Sequence, residues 1–166
     1  WTQKECYVEA LRIDPNFSGA WRGLGNALTG AETIRVGSRE WTQKECFVEV
    51  LRIDPNDNYT WVNLGNAVTG AETIRVGSRD WARKECYVEA LRIDPNFSFA
   101  WGNLFVTLTG AETIRVGSRD WTRKECCVEA LRVDPWGSHA WHNLGNALTG
   151  AETIRVGSRD WTQKEC

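Results

Sequence analysis

Tryptophan opens a new block every 40 residues, at Trp1, Trp41, Trp81, Trp121 and Trp161. A second series, Trp21, Trp61, Trp101 and Trp141, marks the midpoints. The segment TGAETIRVGSR is identical at 29–39, 69–79, 109–119 and 149–159. A fixed period of this length is the mark of a solenoid or related array, in which each unit buries its apolar face only against its neighbours. Function is then expected on a repeated surface, not in a single pocket.

One copy reads as two helices and an insert. Asp14-Pro15-Asn16 breaks the chain, because proline cannot continue a helix. Ser18 is the expected N-cap, with Asn58, Ser98 and Ser138 in the same column. Ala20, Trp21, Leu24, Ala27 and Leu28 then fall on one helical face, so helix A is expected over Gly19–Thr29, with Gly30 just past its end. Gly37-Ser38 is a two-residue hairpin loop of the Gly-X kind. Folding about it pairs Val36 with Arg39, Arg35 with Glu40 and Ile34 with Trp41. Opposite-charge and aliphatic–aromatic pairs favour such a ladder. A lone two-stranded hairpin is marginal in water, so Ile34 and Trp41 are expected to pack on the helices. Thr42 and Glu45 fit a capping box, repeated at Thr2/Glu5, Thr122/Glu125 and Thr162/Glu165, whereas Ala82 lacks the hydroxyl half. Phe47, Val50 and Leu51 give the apolar stripe of helix B, which ends near Ile53.

These residues resemble the tetratricopeptide repeat, a helix pair that starts W-x-x-L-G and has a proline after its second helix. Trp21-Leu24-Gly25, Trp61-Leu64-Gly65 and Trp141-Leu144-Gly145 carry the start. Ala10, Ala90 and Ala130, followed by Leu and then Pro15, Pro95 and Pro135, carry the end. Six extra residues per copy fall where the hairpin is placed. Phe105 stands where the family has a small residue, Gln43 and Arg83 where it has Ala early in helix B, and Val50 where it has Ala later in helix B. The resemblance implies an all-α, right-handed α-solenoid of helix pairs, each carrying a short β-hairpin between helices A and B. It is read as one array over 1–166: a helix B at 1–14, repeats at 15–54, 55–94 and 95–134, and a partial repeat at 135–166. Residues 161–166 match residues 1–6, so the chain is read as a window on a longer array whose ends are completed by more chain or by another copy.

The family binds peptides on the concave helix A face. The positions this carries over are Gly19, Arg22, Asn26 and Thr29; Tyr59, Val62, Asn66 and Thr69; Phe99, Gly102, Val106 and Thr109; and His139, His142, Asn146 and Thr149. Asn26, Asn66 and Asn146 form one ladder and Asn63, Asn103 and Asn143 a second. Asparagine can both donate to and accept from a peptide backbone. Arg22, Asn26 and Asn66 fit part of a carboxylate clamp, but Phe99 and Asn103 stand where its second basic pair belongs.

Lys plus Arg number 20 and Asp plus Glu 22, which leaves no basic footprint for nucleic acid. No run reaches the roughly 18 apolar residues of a membrane span. Cys6, Cys46, Cys86, Cys126 and Cys166 recur once per copy, with Cys127 extra, and are expected to be reduced and largely buried. His139 and His142 lie one helical turn apart with no third metal ligand evident. No nucleophile–base arrangement and no cofactor motif is present, so no enzymatic activity is expected. Three N-x-Ser/Thr sequons start at Asn16, Asn58 and Asn96; a sequon only permits a glycan, and the compartment stays open. The function expected is a non-enzymatic structural scaffold that assembles or continues into a filament. The alternative is an adaptor that holds an extended peptide in the helix A groove. The partner is thus either the chain itself or a peptide.

Overall fold

A computed structural model of the chain describes residues 1–148 and 152–165; Thr149 and Cys166, singled out above, lie outside them. The helices are α1 (Gln3–Ile13), α2 (Ser18–Ala27), α3 (Gln43–Ile53), α4 (Asn58–Ala67), α5 (Arg83–Ile93), α6 (Ser98–Thr107), α7 (Arg123–Val133) and α8 (Ser138–Ala147). The strands are β1 (Thr33–Val36), β2 (Arg39–Thr42), β3 (Thr73–Val76), β4 (Arg79–Ala82), β5 (Thr113–Val116), β6 (Arg119–Thr122), β7 (Thr153–Val156) and β8 (Arg159–Thr162). All-α is therefore too narrow a class: consecutive helices pack together, and an antiparallel hairpin follows helix A in each copy. The chain forms two compact units, Trp1–Glu89 and Ala90–Cys166.

Each hairpin has the register expected. Ile34 faces Trp41, Arg35 faces Glu40 and Val36 faces Arg39, and the other three copies match. Gly37, Gly77, Gly117 and Gly157 take φ of 62°, 61°, 62° and 64° at the first loop position, where a side chain would be strained. Complete capping boxes start α1, α3 and α7, through Thr2/Glu5, Thr42/Glu45 and Thr122/Glu125. At α5 the Glu85 carboxylate alone accepts from the Ala82 N–H, at 2.8 Å.

The expected caps of helix A are displaced by one residue. Ser18, Asn58, Ser98 and Ser138 are already helical, and the preceding residue is extended. Only Asp57 caps with its side chain, accepting from the Thr60 N–H at 3.0 Å. The turn takes over this role elsewhere. The Phe17 N–H donates to the Asp14 carbonyl at 3.1 Å, and the Ala20 N–H to the Phe17 carbonyl at 3.1 Å, which starts the helix early. The Trp21 indole then donates to the Pro15 carbonyl at 2.9 Å, and Trp61, Trp101 and Trp141 do the same to Pro55, Pro95 and Pro135. Helix A also stops early, at Ala27. Leu28 turns extended, with φ −87° and ψ 141°, and so places its side chain fully in the core.

In the first unit Leu11, Ala20, Trp21, Leu24, Leu28, Cys46 and Val50 form a core, against which Ile34, Val36 and Trp41 of the hairpin pack. The Trp21 and Trp41 rings lie 4.5 Å apart between centroids. Burying each large apolar side chain contributes about 1.5–3 kcal/mol, which is what anchors the hairpin. In the second unit Trp101, Leu104, Phe105, Leu108, Cys126, Cys127 and Leu131 are buried in the same way.

Candidate functional site

Two surfaces repeat: the helix A face and the hairpin edge. On the first, the helices approach closely because one partner is small. A Cβ on Gly65 would come within 2.5 Å of the Tyr87 ring, and one on Gly25 would collide with Phe47. In the third copy the sizes reverse: Phe105 fills the helix A position and Cys127 the helix B position, both buried. Phe105 is thus compensated, not tolerated.

The residues that depart from the tetratricopeptide pattern close the end of helix A. Gln43 Nε2 donates to the Gly25 and Leu28 carbonyls at 2.9 and 2.6 Å. Arg83 Nε donates to the Val68 carbonyl at 2.7 Å. Arg123 Nε donates to the Phe105 carbonyl at 3.1 Å, and its guanidinium lies 4.2 Å above the Phe105 ring. The last carbonyls of a helix lack intrahelical donors, and a cation there also meets the negative end of the dipole.

The groove positions fall into three groups. Arg22 is engaged: its Nη1 donates to Asp57 Oδ2 at 2.7 Å. The asparagine ladders interlock in the first unit, where Asn63 Nδ2 donates to Asn26 Oδ1 at 3.1 Å. Asn66 Oδ1 accepts from the Tyr87 hydroxyl at 2.8 Å, and burial pushes that phenol up to about 12. Val62 is buried, so it does not belong to the surface where the resemblance placed it. Tyr59 is exposed. In α8, Asn146 Nδ2 and His142 Nε2 lie 3.0 Å apart.

The remaining positions meet in the second unit. Phe99, Asn103, Val106, His139 and Asn143, with Trp136, line a cavity of about 590 Å³. Phe99, Val106 and Trp136 are 65%, 62% and 92% exposed, so their apolar faces are open to a ligand. The Cβ direction of Gly102 meets nothing within 4 Å, which widens the floor. Trp136 escaped sequence reasoning because its column holds Asn16, Asn56 and Asn96 in the other copies.

The hairpin edge is built alike in every copy. Arg39 bonds the Glu45 carboxylate and lies 4.2 Å above the Trp41 ring. Arg79, Arg119 and Arg159 repeat this with Glu85, Glu125 and Glu165 and with Trp81, Trp121 and Trp161. Backbone bonding from Thr42 and Thr122, then their hydroxyls and the arginines, hold the Glu45 and Glu125 carboxyls below the usual range. The Arg latch was not legible as such, because pairing placed Arg39 only opposite Val36. Outward from it, Arg75 and Arg115 donate to Asp80 and Asp120 at 3.0 and 3.2 Å on a solvated face.

Among the described residues, no group of three His, Cys, Asp or Glu side chains could hold a metal ion. No described helix is long and apolar enough to cross a membrane. Cys46, Cys86, Cys126 and Cys127 are free and buried, while Cys6 is exposed. No family model matches the chain, and no curated protein matches it. It is a helical repeat protein by its own geometry.

Proposed function

We propose that the chain is a non-enzymatic scaffold of tetratricopeptide type, a right-handed stack of helix pairs that assembles with itself into an elongated filament. The observation that carries this reading is the hairpin edge. The same register, arginine latch and outward Arg–acid pair recur at a 40-residue spacing. A row of equivalent, charge-balanced contacts suits association at regular intervals, and heterologous contacts between copies need not close. Electron microscopy of the purified chain tests it. Regular fibres or bundles are the expected result, weakened by reversing Arg75 and Arg115 to Glu. Monodisperse particles at high concentration defeat it.

A second reading, an adaptor for an extended peptide, is favoured by the cavity of the second unit. Its open Phe99, Val106 and Trp136 faces offer apolar contact, and Asn103 and Asn143 offer backbone hydrogen bonds. Monodisperse particles that capture apolar peptides, and lose them on Phe99→Ala, support it over the filament.

A further inference from the structure

We propose that Asn16 and Asn96 carry N-linked glycans and that Asn58, the third sequon, does not. Asn16 and Asn96 lie in the exposed turns before α2 and α6. Each side-chain amide is held by its oxygen. Arg52 Nη2 donates to Asn16 Oδ1 at 2.8 Å, and Arg132 Nη2 donates to Asn96 Oδ1 at 3.0 Å. Each arginine is itself fixed, since its Nε donates to Glu49 or Glu129 at 2.7 Å. Both Nδ2 atoms are left without a partner among the described residues. Nδ2 is the atom a glycan occupies, and Oδ1 still accepts a hydrogen bond after substitution. The arginine therefore orients the linkage without competing for it. Beside Asn16 there is also room: it lines a cavity of about 560 Å³ whose wall includes Trp21 and Trp41.

Asn58 is built differently. It is the first residue of α4, half-buried and engaged with its surroundings. Thr60, the third residue of its sequon, is fully buried, and its hydroxyl donates to Asp57 Oδ2 at 3.1 Å. A sugar on Asn58 has to share space with the first turn of the helix.

The modification is attack of Asn Nδ2 on C1 of the reducing-end sugar of a polyprenyl-diphosphate oligosaccharide. The N–C1 bond forms and the C1–O bond to the diphosphate breaks. An amide proton passes to a base on the transferase, and the lipid diphosphate leaves. Passage through a glycosylating, oxidising compartment is compatible with the thiols of the core. Cys46, Cys86, Cys126 and Cys127 are buried, and burial pushes the first three up to about 12, far from the reactive thiolate.

The test is secretion of the full chain from a eukaryotic cell, followed by glycan removal with peptide N-glycosidase in heavy-oxygen water. Each occupied Asn then becomes a mass-labelled Asp. Label at Asn16 and Asn96 and none at Asn58 is expected. Label at Asn58, or its absence at either Asn16 or Asn96, overturns the proposal, as does retention of an unmodified chain in the cell. Asn16→Gln with Asn96→Gln removes the whole glycan mass; Ser18→Ala with Ser98→Ala does so while keeping both arginine bonds. Melting of the glycosylated chain at or above the temperature of the enzymatically stripped chain is expected. A lower melting temperature with the glycans in place overturns the accommodation argued here.

Discussion

Two tryptophans per copy do different work, and one atom separates them. Trp61 donates its indole N–H to the Pro55 carbonyl at 2.9 Å and so ties helix A to the turn before it. Trp41, Trp81 and Trp121 bury the same N–H with no partner among the described residues. An unsatisfied buried donor costs about 1–3 kcal/mol. At Trp81 this is offset by the Trp61 ring, at 4.5 Å, and by the Arg79 guanidinium, at 4.2 Å. Trp61→Phe is therefore expected to destabilise more than Trp81→Phe, by about 1 kcal/mol. Urea melts of the two variants check it; equal losses would mean that the indole N–H of Trp61 contributes nothing.

At the scale of elements, the helix B starts are acid-sensitive joints. Glu45 and Glu125 each satisfy the backbone N–H before the helix and bond the hairpin arginine. Their carboxyls are lowered from 4.5 in the folded chain. Folding therefore gains their contribution above the ordinary carboxylate value and loses it as pH falls through the depressed one. Melting temperature is expected to drop between about pH 5 and pH 2. Glu45→Ala with Glu125→Ala should lower stability at neutral pH by about 1 kcal/mol per site and flatten that acid limb. Melting curves across this range measure it, and an unchanged slope in the double variant refutes the assignment. The boxes and the hairpin register were legible in sequence because their partners lie within a few residues and the Gly-X loop fixes the pairing. Gln43, Arg83 and Arg123 read as departures because the carbonyls they reach lie 15–18 residues back. Arg22 looked available because its acid is 35 residues away. The start of helix A was misplaced because a Ser cap and a closed Asp-Pro turn offer the same backbone bonds, and only tertiary packing chooses between them.

For the molecule as a whole, the cysteine column reports cooperativity. Cys46, Cys86, Cys126 and Cys127 reach solvent only when their helices separate, whereas Cys6 is exposed. Among the five cysteines of the described residues, one fast thiol, Cys6, and four slow ones are expected in the native chain, the slow four tracking unfolding as denaturant is added. Rapid native labelling of all of them removes the basis for a packed repeat core. The inverted pair at Phe105 and Cys127 reaches further, into how such a gene can change. Copies exchange most readily where they are identical, and 109–119 is such a stretch. It lies between Phe105 and Cys127. A crossover there would join Phe105 to a partner the size of Phe47 or Tyr87, or leave a glycine facing Cys127, giving either a clash or a void. The stretch that best invites recombination is thus the one where recombination does most harm. A lineage carrying this third copy is expected to lose or multiply it only with both halves together.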